Sequence, residues 1–207
     1  MTGIIALQGG GPFSANDDLD RRILGVVGAT RVVVLPTADA FEHPERLIAA
    51  AQPWAERMGV TLEALMVLRR GEALDAPTAE IVRAARAVYL VGDQQLHLRS
   101  VLKDTPLWEA IVDVPARGGA VVGVGGSASA LCDPMVDPRG GAFTLGLGLV
   151  TDLAFVSDAE TYSADRLHRT LALANTAVVC APTGAGLLHH DGSWERVGDV
   201  DVRGARR

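Results

Sequence analysis

The chain has 207 residues, 48% of them hydrophobic and 21% charged, with a formal net charge of -6. This is an ordinary globular composition, which excludes a disordered chain, and no basic stripe is present that would bind nucleic acid. Two cysteines, Cys132 and Cys180, are too few for a disulfide framework. No apolar run approaches the roughly 20 residues of a spanning helix, and the start, Met1-Thr2-Gly3-Ile4-Ile5, lacks the regions of a secretory signal. A reduced cytoplasmic setting, with no membrane and no nucleic-acid partner, is the expectation.

In chain order, short β-branched runs alternate with helix-length amphipathic stretches. Residues 4–7 predict a strand, and 17–28 a helix with Asn16 at its N-cap. Residues 32–35 predict the next strand, 42–58 a helix, and 61–68 a weaker strand between Gly59 and Gly71. A helix over 77–86 opens near Pro77, followed by a strand at 88–91, a helix at 95–113 and a strand at 121–124. Ser163 precedes a helix at 164–174, and 178–179 is strand-like. The tail differs, because Asp191-Gly192 separates two strand-like runs, 186–190 and 194–202, as in a hairpin.

Continuous apolar strands alternating with helices predict a doubly wound, mostly parallel α/β sheet, with helices on both faces and a C-terminal β-hairpin. Nothing marks a domain boundary, so one domain spanning 1–207 is expected. In such sheets a site lies beyond the carboxyl ends of the strands. That rule selects four loops: Gln8-Gly9-Gly10-Gly11, Pro36-Thr37-Ala38-Asp39, Gly92-Asp93-Gln94-Gln95 and Gly125-Gly126-Ser127-Ala128-Ser129-Ala130.

The last of these has the layout of a nucleophile elbow, in which a serine sits on a strained strand-to-helix turn. Its alternative is a plain Gly-rich turn. Gly92-Asp93-Gln94 lets backbone amides approach a ligand, with Asp93 also available as an N-cap. Gly9-Gly10-Gly11 is no dinucleotide fingerprint: Ser14 stands at the third glycine position and no Walker lysine follows. Neither a cofactor nor a metal is expected.

Taken with Gly146-Leu147-Gly148-Leu149, these loops resemble, over nearly the whole chain and in order, peptidase family S51 (dipeptidase E and cyanophycinase), on a class I glutamine amidotransferase-like fold. The resemblance implies Ser127 as nucleophile, Gly92 and Ala128 as oxyanion hole, and substrate contacts from Gly10, Gly11, Asp93, Gln94 and Ser129. It also suggests acidic peptides as substrates. Two departures stand out. Ser129 replaces the glycine of Gly-x-Ser-Ala-Gly-Ala. The stretch corresponding to the family's histidine, Val156-Ser157-Asp158-Ala159-Glu160-Thr161, contains no histidine, and Glu160 or a direct neighbour takes its place as base.

A serine hydroxyl needs an adjacent base, and a carboxylate of raised pKa can serve. The family's acid maps to Asp133 or Asp137. Of the histidines, His97 lies nearest the predicted crevice; His168, His189, His190 and His43 suit solvated or hairpin positions. Cys132 reads as a buried thiol. Two functions follow: a serine-type hydrolase of a small peptide or amide, or a non-catalytic binding protein on the same fold, with a homodimer compatible with either.

Overall fold

The computed structural model describes residues 3–151 and 153–204. The chain begins with β1 (Ile4–Gln8), α1 (Asp17–Val27), β2 (Arg31–Leu35), α2 (Pro44–Met58), β3 (Thr61–Ala64), α3 (Arg70–Ala73) and α4 (Ala76–Arg83). It continues through β4 (Ala87–Val91), α5 (Gln95–Leu102), α6 (Pro106–Ala116), β5 (Ala120–Val124) and α7 (Gly126–Leu131). Then follow β6 (Met135–Val136), β7 (Phe143–Thr144), β8 (Leu153–Val156), α8 (Ala164–Leu173), β9 (Ala177–Cys180), β10 (Gly186–His190), β11 (Ser193–Val197) and β12 (Asp201–Arg203).

A seven-stranded sheet runs in the order β11-β10-β1-β5-β4-β2-β3. Its β1, β5, β4, β2 and β3 are mutually parallel, while β10 and β11 add an antiparallel edge. Strand side chains alternate between faces, and both faces are covered. Leu7, Val33, Leu35, Val88, Leu90 and Val121 pack with Leu98, Leu107, Ile111 and Leu131. Ala6, Val32, Val34, Tyr89 and Val122 pack on the opposite face with Ile23, Leu24 and Trp54. Such double burial is why these strands read as unbroken apolar runs. The doubly wound, mostly parallel α/β architecture and its late hairpin are as the periodicity predicts.

Five details differ from the sequence reading. The single helix over 95–113 is two: Asp104 takes φ 56°, and the Thr105 hydroxyl accepts from Trp108 N at 3.2 Å to start α6. The strand expected over 61–68 stops at Ala64. The strand around 178–179 does not join the main sheet; β9 pairs in parallel with β8 and antiparallel with β12 in a second, three-stranded sheet. The run 194–202 is correspondingly divided between β11 and β12, which belong to different sheets. Asn16 precedes α1 but does not cap it, because its Nδ2 donates to the Gly10 carbonyl at 2.9 Å and steadies the glycine loop. Ser163 caps α8 through its hydroxyl, which accepts from Arg166 N. Among the described residues, no helix is long and apolar enough to cross a membrane.

Candidate active site

The carboxyl ends of β1, β2, β4 and β5 open onto a crevice, and β8 brings a fifth loop to it. Its narrow end is a cavity of about 70 Å³, lined by Gly10, Gly11, Pro12, Asp39, Leu47, Gly92, Asp93, Val124, Gly125 and Asp158. A wider chamber of about 420 Å³ shares Asp93 and Asp158 with it and extends to Gln95, Tyr162 and Arg166. Asp93 and Asp158 are thus the side chains common to both.

Glycine lets these loops meet. Gly92 lies so close to the Ala38–Asp39 backbone that a Cβ would stand 2.8 Å from Asp39 N, and Gly126 packs equally tightly on the Asp93 backbone. The turn from β5 into α7 is a single residue, Gly125, with φ 66° and ψ -137°. Side chains rarely tolerate that conformation, and a Cβ here would overlap Asp93 Oδ1. The Gly126 N–H donates to the same Oδ1 at 3.1 Å.

The strained position of the elbow is therefore Gly125, and the expected nucleophile lies elsewhere. Ser127 sits inside the first turn of α7 and is fully buried. Its hydroxyl donates to the Gly92 carbonyl at 3.1 Å, and its N–H donates to the same oxygen at 2.9 Å. Ala128 does not offer its amide to the crevice either, since its N–H donates to the Gly125 carbonyl at 3.0 Å. The amide beside the crevice after the turn belongs to Gly126. Ser129 is buried, and its hydroxyl ties α7 to β8 by donating to the Phe155 carbonyl at 2.8 Å; it is a packing residue rather than a substrate contact.

Glu160 also lies outside. Its carboxylate accepts from the Thr183 hydroxyl at 2.6 Å and from the Thr183 N–H at 3.1 Å, a bonding that holds its pKa below the usual range. The neighbour that enters the crevice is Asp158, two residues earlier, with its carboxylate against Gly10. Burial pushes its carboxyl up to about 6, reinforced by the charges of Asp93 and Glu160 and opposed by the Thr183 hydroxyl. Asp39, lining the narrow end, is raised by burial and then by Asp93.

Of the remaining expected contacts, Gly10, Gly11, Gly92 and Asp93 line the crevice, whereas Gln94 is exposed outside both chambers. The glutamine at the site is Gln95, anchored by its Nε2 to the Val136 carbonyl at 3.2 Å. His97 is turned away, its Nε2 donating to the Leu68 carbonyl at 2.9 Å, with its ring against Phe41. Asp133 receives the Gly146 N–H, and Asp137 pairs with Arg139 on the surface. Burial pushes the Cys132 thiol far above its usual range, which fits an inert thiol. Sequence reasoning missed Tyr162 and Arg166 as chamber residues. The Arg166 guanidinium carbon stands 3.8 Å above the Tyr162 ring, and Nη2 donates to the Pro138 carbonyl at 2.6 Å. Its buried Nε has no hydrogen-bond partner among the described residues. No group of three or more His, Cys, Asp or Glu among them is set to hold a metal ion.

The architecture is shared with known structures. A peptidase from an acI-B1 Actinobacterium superposes with a TM-score of 0.86 at 21% identity, covering 100% of this chain and 96% of that one. A candidate Peptidase E protein from Listeria monocytogenes EGD-e gives 0.67 at 16% identity, covering 98% of each chain. The fold is thus that of a peptidase-E-like α/β protein. No family model and no curated protein matches the sequence.

Proposed function

We propose that the protein is a hydrolase of a small peptide or amide, working in this crevice within the S51 group and its amidotransferase-like fold class, as one domain over 1–207. The observation that carries the reading is the junction of the two chambers at Asp93 and Asp158, where a carboxyl raised to about 6 stands beside a second carboxylate. A group of that pKa is suited to proton transfer near neutral pH. The wide chamber supplies the complementary end: Arg166 lines it, and its guanidinium charge suits a carboxylate of the peptide. A cytoplasmic setting and a homodimer belong to the same reading.

A second reading is a binding protein without turnover. It is favoured by one observation: the elbow residue is Gly125, which has no side chain, and the Ser127 hydroxyl is spent on a backbone carbonyl. The two are separated by incubating the protein with a mixture of all common dipeptides and measuring amine release together with the melting temperature. Release of free amino acids supports the hydrolase. A raised melting temperature with no release supports the binding protein, and neither effect removes small peptides as ligands.

A further inference from the structure

The hydrolase reading leaves open which atom attacks, because the position from which a nucleophile would project is glycine. We propose that Asp93, reaching across from the β4–α5 loop, supplies the reactive group missing at residue 125, and that with Asp158 it drives direct attack of water on the amide without an acyl-enzyme.

The placement of Asp93 is specific. Its Oδ1 overlaps the space a Cβ on Gly125 would take, so the carboxylate stands where the side chain of an elbow residue would begin. The Gly126 N–H holds that oxygen at 3.1 Å. A glycine at 125 is required for this, since either a side chain there or the Asp93 carboxylate can occupy the space, and not both. Asp93 is solvent-accessible and lines both chambers, so a water held by it is open to a substrate. Ser127 offers no competing route, being fully buried.

Asp158 faces the same junction from the β8 side, packed on Gly10. Two neighbouring carboxyl groups in different surroundings can divide the roles of base and acid. Asp158 is the more enclosed of the two, and its raised pKa makes it the proton carrier. The step balances. The Asp93 carboxylate takes a proton from water as the water oxygen bonds to the carbonyl carbon, and the carbonyl electron pair moves onto oxygen. When the tetrahedral intermediate collapses, the C–N bond breaks and the Asp158 proton passes to the leaving nitrogen. The products are an acid and an amine, and the proton on Asp93 returns to Asp158 to reset the pair.

The inference rests on the hydrolase reading, and its test separates the two. Wild type, Asp93→Asn, Asp158→Asn and Ser127→Ala are each assayed on the dipeptide mixture, with and without hydroxylamine, after circular dichroism confirms folding. The expected result is hydrolysis by wild type and Ser127→Ala, with a loss of about 100-fold or more in each aspartate variant, and no hydroxamate from wild type. Activity that survives both aspartate changes, or hydroxamate formation by the wild type, overturns the water mechanism and leaves the hydrolase standing. The hydroxylamine arm needs no variant, so it decides even if one fails to fold. Absence of hydrolysis by the wild type overturns both readings.

Discussion

A side chain at Gly125 and the carboxylate of Asp93 compete for one space: a Cβ on the first would overlap Oδ1 of the second. The left-handed φ of 66° at the same residue adds a separate penalty for any side chain. Gly125→Ala is therefore expected to destabilise the protein by about 2 kcal/mol or more. In an Asp93→Gly background the backbone penalty stays and the overlap goes, so the cost should shrink by about 1 kcal/mol. Urea unfolding of the four proteins in this cycle measures the coupling. Equal costs in both backgrounds would refute the competition.

Ser127 has a structural role on this geometry, and its two properties can be read independently. Ser127→Ala removes the hydroxyl bond to the Gly92 carbonyl, which still accepts the Ser127 N–H. The expected loss is about 1 kcal/mol. A fluorophosphonate probe, followed by intact mass, is expected to leave the wild type unmodified under conditions that label a known serine hydrolase. An adduct that disappears in Ser127→Ala would restore the serine as nucleophile.

The parallel strands were legible because β1, β2, β4 and β5 are buried on both faces and carry unbroken apolar runs. The elbow was legible only in its location. Glycine occupies 123, 125 and 126, and a slip of two residues keeps every strand side chain on its own face. Periodicity therefore could not say whether the turn fell on Ser127 or Gly125. The strand ends at Val124 and the helix begins at Gly126, which leaves one residue for the turn. A slip of the same size separates Glu160 from Asp158. Arg166 and Tyr162 read as ordinary residues of a polar helix and its approach; only the arrival of α8 beside the crevice gives them a role.

If Arg166 receives the carboxylate of a peptide, its removal should discriminate between two ligands that differ only there. Arg166→Ala is expected to raise KM for the peptides turned over by about tenfold or more, the scale of one lost charged hydrogen bond. C-terminally amidated counterparts should be affected far less. A purely structural contribution through Tyr162 and Pro138 would weaken both forms alike, so equal losses would exclude the assignment.

Asp20 is a buried acid, and it sets a pH dependence of stability. Its oxygens accept from Gln8 Nε2 at 2.7 Å, Tyr89 OH at 3.0 Å and Trp54 Nε1 at 3.0 Å. Burial nonetheless outweighs these donors and pushes its carboxyl up from 3.8 to about 6. The folded state then holds the proton more tightly than the unfolded state. The contribution of Asp20 to stability is complete below its unfolded pKa and is lost as pH rises through about 6. A shift of this size is worth about 3 kcal/mol across that window. Asp158 is raised in the same direction and adds to the decline, while Asp17 and Asp137, lowered by Arg57 and Arg139, act with the opposite sign at more acidic pH. Unfolding free energies measured from pH 4 to pH 7 should thus fall less steeply in Asp20→Asn than in the wild type, and least in Asp20→Asn combined with Asp158→Asn. A slope unchanged by Asp20→Asn would mean that the three donors keep the carboxylate ionised down to its ordinary range.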